Sequence, residues 1–187
     1  FLSYAQGIPE AAPRITSLRV MDALGNLHLT PYWWALEDAA GLVNNWSRLA
    51  AGGPLRLTGS YKIDIVNLSI GGGGYLGWEH AALNDIYFNT DALIVTAAGN
   101  SGGTYPKYPG YLSFYFGTRA ITVGACDVAG NIHYYSQRAG YANMNNFICA
   151  HAEASGPWAG TSFSAPRVSG TASAVKDRWP HLTGGQI

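Results

Sequence analysis

Three short segments hold residue types that could do chemistry together. The first is Gly160-Thr161-Ser162-Phe163-Ser164-Ala165-Pro166. A serine placed where a loop enters a helix has its own N–H, and the helix dipole, aimed at negative charge forming on a bound carbonyl. The competing reading is an N-cap serine without chemistry. The second is Ala97-Ala98-Gly99-Asn100-Ser101-Gly102, which follows an apolar run. Open α/β sheets gather ligands at the carboxyl ends of their strands, and an asparagine there can donate its amide N–H to a developing oxyanion. The competing reading is an ordinary turn. The third runs from Asn67 through Ser69, Ile70 and Gly71 to Gly74, where glycines let another backbone approach. Gly72 to Gly77 also satisfies a GxGxxG pattern. A dinucleotide site would need an acidic residue at the end of the next strand, which instead reads Thr96-Ala97-Ala98-Gly99. The pattern is therefore not read as nucleotide binding.

These segments need strands and helices to hold them. Short β-rich runs occur at 14–20, 64–70, 92–98, 119–125 and 146–150. Several are almost wholly apolar, as strands covered on both faces are. Helical patterns fall at 32–51, with Gly41 as a weak point, at 78–88 and at 165–175. In the last, Pro166 is read as a first-turn residue. Strands alternating with helices predict an α/β fold, a parallel sheet with helices on both faces. Asp22 to Asn26 and Asp127 to Asn131 read as turns.

The 187 residues suit one domain or a large part of one. Eleven basic and eleven acidic residues give zero net charge, which argues against a nucleic-acid partner held by phosphate neutralisation. Charged residues are 12% of the chain and hydrophobic ones 48%, so a disordered chain is excluded. The longest strongly apolar stretch, 92–98, is far too short to span a bilayer. Cys126 and Cys149 have no zinc-cage spacing. They lie at or near the ends of consecutive strands, so a disulfide and two separate thiols are both open readings. The first residue, Phe1, and the closing stretch that reads as the start of another helix suggest an internal fragment.

Taken in order, with the element before each, the three segments resemble the subtilisin-like serine proteases, the subtilases. In that family one strand ends in a Ser-Leu-Gly-Gly-like segment, here Ser69-Ile70-Gly71-Gly72, and the next in Ala-Ala-Gly-Asn, here Ala97 to Asn100. A Tyr-Pro stretch and a Val-Gly-Ala strand follow, here Tyr108-Pro109 and Val123-Gly124-Ala125. Gly160 to Pro166 matches the family's Gly-Thr-Ser-x-x-x-Pro. The related sedolisins carry an aspartate where this chain has Asn100. The wording of 136–140 and 160–166 is most similar to bacterial autotransporter-type members.

The resemblance implies a partial subtilase catalytic domain over 1–187. It makes Ser162 the nucleophile and places the Asn100 side chain and the Ser162 N–H in the oxyanion hole. Ser69, Ile70 and Gly71 would pair with a peptide or protein substrate as an added strand. Ala97, Ala98 and Gly99 would wall the pocket for the residue before the scissile bond, a slot suited to a sizeable apolar or aromatic side chain. It implies no cofactor for the chemistry, room for structural calcium, and a secreted, periplasmic or cell-surface location.

The family's Asp-[Thr/Ser]-Gly and His-Gly-Thr segments do not occur in this sequence. None of His28, His80, His133, His151 and His181 is followed by Gly-Thr. His151 is read as a loop substitution, His80 as a helix N-terminal residue and the other three as exposed loop residues. The catalytic Asp and His are therefore expected upstream, and the chain alone is expected to be inactive. A non-catalytic subtilase-like peptide-binding module is the alternative. The aromatic residues Tyr32, Trp33, Trp34, Tyr75, Trp78, Tyr105, Tyr108 and Tyr111 are expected to pack around an enlarged loop, with a peptide groove as the alternative.

Overall fold

The computed structural model describes residues 15, 20–21, 24, 26–41, 63–152 and 159–187. Its elements are α1 (Leu29–Ala39), β1 (Ile65–Leu68), α2 (Gly77–Asn89), β2 (Leu93–Ala97), a 3-10 segment (Gly110–Arg119), β3 (Ala120–Cys126), β4 (Phe147–His151) and α3 (Thr161–Arg178). The four strands form one parallel sheet in the order β1-β2-β3-β4. The run at 14–20 lies mostly outside the described residues. No helix among the described residues is long and apolar enough to cross a membrane.

β2 explains its own composition. Leu93, Val95 and Ala97 pack with Ala165 and Ala172 of α3 on one face. Ile94 packs on the other face with Leu83 and Ile86 of α2 and with Leu112 and Phe116 of the 3-10 segment. Both faces are buried, so no polar alternation survives in the run. The small residues of α3 let it lie close across all four strands.

Two helices differ from their sequence patterns. α1 starts at Leu29 and ends at Ala39, well short of the expected 51. Gly41 is the reason: at φ +72° it takes the left-handed turn that closes a helix, and its N–H bonds to the Asp38 carbonyl. Residues 42–51 lie outside the described residues. α3 starts at Thr161, so Pro166 is its sixth residue and not in the first turn. A proline there has no N–H for the Ser162 carbonyl, which is left without its helical donor.

The turn after β3 forms as expected. Asp127 accepts the N–H groups of Ala129 and Asn131, and Gly130 takes φ +85°. These bonds, and the amide of Asn131, hold the Asp127 carboxyl below its usual range. Cys126 and Cys149 are both free thiols. Cys149 stands opposite Gly124, while Cys126 stands opposite His151. His151 is therefore the last residue of β4, not a loop residue.

Candidate active site

Ser162 is the second residue of α3, after the N-cap Gly160 and Thr161. It is not the cap, so the capping role is not what places this serine here. Its half-buried hydroxyl donates to the Ser69 carbonyl at 2.9 Å. The helix thus begins against the end of β1, the segment expected to pair with substrate. Ser162 also has one of the first N–H groups of α3, which a helix leaves without an internal partner.

Asn100 reaches the same helix start from the end of β2. Its Oδ1 accepts the Thr161 N–H at 2.9 Å and the Thr161 Oγ1 hydroxyl at 3.0 Å. With both donors on the oxygen, the amide must turn its NH2 the other way. Thr161 Oγ1 in turn accepts the Gly99 N–H at 3.0 Å. The threonine is fully buried, so it acts as a pin between the strand end and the helix. Sequence reasoning passed over it, although it stands inside the Gly-Thr-Ser segment.

The pocket residues divide by what they offer. Ala97 and Ala98 are buried in the core, and the Ala98 N–H and carbonyl are bonded to Val123 and Lys107. Gly99 is the first wall residue that is not buried. Its φ is +105°, and a Cβ on it would meet Lys107 Cγ at 2.9 Å. Ile70 is partly buried against the core cluster that includes Leu36 of α1 and Leu83 of α2. A Cβ on Gly71 would meet the Tyr108 carbonyl oxygen at 2.9 Å. The Gly72 N–H bonds to that same oxygen at 3.2 Å. Both glycine walls therefore converge on Lys107 and Tyr108, two residues that sequence reasoning did not place in the site.

A buried polar cluster holds this floor. Thr122 Oγ1 contacts Thr96 Oγ1 at 3.2 Å and Ser113 Oγ at 2.7 Å, and donates to the Gly110 carbonyl at 2.6 Å. Asn143 Nδ2 donates to Ser113 Oγ at 2.7 Å. A second network supports the β1 edge: Ser169 Oγ donates to Asn67 Oδ1, and Asn67 Nδ2 donates to Ser69 Oγ, both at 2.9 Å.

Four of the eight aromatic residues gather at the 3-10 segment. Tyr75 and Tyr111 lie against Tyr108, and Tyr105 against Tyr111. Tyr32 is separate, buried on α1 against Trp78, with its hydroxyl donating to Glu79 Oε1 at 2.7 Å. Burial pushes the Glu79 carboxyl above its usual range, and the Tyr32 bond partly offsets this.

His80 packs on Tyr75, Tyr115 and Phe116, and His133 stacks on Tyr135. Among the described residues no three His, Cys, Asp or Glu side chains gather as a metal cluster.

Comparison with known proteins agrees with this fold. The chain is 26% identical over 182 residues to thermitase from Thermoactinomyces vulgaris, covering 89% of this chain and 53% of that protein. The patellamide maturation protease PatA is 25% identical with a TM-score of 0.62, covering 88% of this chain and 57% of that one. Sphericase is 24% identical with a TM-score of 0.65, covering 89% and 55%. The chain thus spans about half the length of the proteins it matches. Residues 43–187 match the family model described as the subtilase family, and the chain belongs to that family.

Proposed function

We propose that the complete protein is a serine endopeptidase that cuts peptide bonds through an acyl-enzyme on Ser162. The substrate backbone lies along Ser69, Ile70 and Gly71 as an added strand. The residue before the scissile bond sits against Ala97, Ala98 and Gly99. Ser162 Oγ attacks the carbonyl and gives its proton to a histidine base, which an aspartate orients; both come from outside these 187 residues. The oxyanion receives N–H donors from Asn100 Nδ2 and the Ser162 backbone. The base returns the proton to the leaving amine, and water then hydrolyses the ester. No cofactor takes part. The same reading places the enzyme outside the cytoplasm or at the cell surface.

One observation carries this reading: Thr161 holds Asn100 Oδ1 with two hydrogen bonds and is the residue next to Ser162. The test is fluorophosphonate labelling of the complete protein beside turnover of a chromogenic peptide. Both are expected, and Ser162→Ala should lose both. Full turnover by Ser162→Ala would overturn the assignment. Peptide binding with neither labelling nor turnover would point to the non-catalytic binding module.

A further inference from the structure

We infer that Lys107 makes the pocket select an acidic side chain at the residue before the scissile bond, glutamate over its neutral isostere glutamine. This rests on the reading of Ser162 and Asn100 given above. The glycine walls alone would suit an apolar side chain; the floor between them adds a charge.

The placement follows from contacts on both walls. The Lys107 stem lies where a Cβ of Gly99 would be, with its Cγ at 2.9 Å and its Cβ at 3.2 Å. Its N–H bonds to the Ala98 carbonyl at 2.8 Å. The next residue, Tyr108, meets Gly71 and Gly72 through its carbonyl oxygen. Lys107 and Tyr108 thus bridge the two walls. They are held from below, because a Cβ on Gly110 would meet the Ala97 carbonyl at 2.8 Å and the Thr122 hydroxyl ties down the Gly110 carbonyl.

Among the described residues, the walls and floor bring no carboxylate of their own to this charge. The stretches that build walls and floor, 66–78 and 97–126, contain no Asp or Glu. Their two cations are Lys107 and Arg119, and Arg119 is spent on Asp91 and on the carbonyls of Tyr87 and Thr90. Lys107 is half-buried and makes no ion pair among the described residues. A glutamate can lay its methylenes between the two glycines and bring its carboxylate toward the ammonium. Glutamine fills the same space without the charge. A half-buried charge-assisted contact is worth about tenfold in kcat/KM.

The experiment compares chromogenic peptides that differ only in having Glu, Gln, Leu or Lys before the scissile bond, with the complete enzyme. Glu should exceed Gln about tenfold in kcat/KM at low salt, and the ratio should fall toward one as salt shortens the screening length. Lys107→Met, which keeps the stem against Gly99, should level the Glu/Gln ratio. Lys107→Glu should turn the preference toward Lys. Gln cleaved as well as Glu, or a ratio that neither Lys107→Met nor salt moves, would overturn the inference. Should Lys107→Met not fold, the salt series on the unaltered enzyme decides alone. Ser162→Ala separates the two readings. Loss of turnover in that variant with a Glu/Gln ratio of one refutes only the role of Lys107; retained turnover refutes the site itself.

Discussion

Replacing Thr161 by valine keeps the shape of a fully buried β-branched side chain and removes one hydroxyl. Two hydrogen bonds go with it, the one accepted from the Gly99 N–H and the one donated to Asn100 Oδ1. The Gly99 N–H is half-buried, so stranding it should cost about 1–2 kcal/mol. In a complete protein larger than these 187 residues that lowers Tm by roughly 2 °C. Asn100 keeps its bond from the Thr161 backbone N–H and loses the other. Removing an oxyanion donor outright costs about 10²–10³ in kcat, a magnitude measured on a subtilisin. Loosening it by one anchor of two should therefore cost about tenfold in kcat, with KM little changed. The assay is a double-mutant cycle on the complete enzyme. Because Thr161 acts through Asn100, Thr161→Val in an Asn100→Ala background should lower kcat by less than about twofold and still lower Tm. The full tenfold loss in that background would refute the reasoning, as would no loss in the single variant.

Gly71→Ala would drive a Cβ into the Tyr108 carbonyl, so the β1 edge must shift and kcat/KM should fall at least about tenfold; an unchanged value would show that this edge does not seat substrate. Burial raises the Glu79 carboxyl in the folded protein, so its contribution to stability is full below the unfolded value of 4.5 and is lost as pH rises through the folded one. Tyr32→Phe removes the hydroxyl that bonds to this carboxylate, so urea unfolding should show a larger loss at pH 8 than at pH 4. The 187-residue chain alone should not turn over a chromogenic peptide, because the Ser162 hydroxyl is donated to the Ser69 carbonyl and no histidine base accepts its proton; turnover at a normal rate would show that one of the five histidines serves.

Much of the site was legible because its segments follow strands of unmistakable composition. A run buried on both faces cannot hide its type, so the end of β2 and the position of Asn100 could be read directly. The place of Ser162 at the entry to a helix was legible from the small residues and proline around it, but the start of α3 was not. Pro166 sits equally well in a pattern starting at 165, and only the packing of Thr161 under Asn100 shows that the helix begins earlier. The stop at Gly41 was visible as a weakness and not as an end, because a glycine inside an apolar period is tolerated. Lys107 was out of reach. Its stem meets Gly99 only because the chain turns back between them, and no local pattern records that turn.

The side chain offered as the oxyanion donor is also the cap that closes the N-terminus of α3 from another part of the chain. Folding and chemistry therefore draw on the same amide oxygen and amide nitrogen of one residue. In a descendant that had ceased to cut peptides, folding would still hold Asn100 and Thr161 in place, because losing them would leave the helix start and the Gly99 N–H unbonded. Ser162 is under no such restraint, since its hydroxyl makes a single contact at the rim of the site. Among related chains, a retained asparagine thus marks an intact scaffold, whereas the serine, with the histidine and aspartate that would serve it, bears on whether that scaffold can cut peptides.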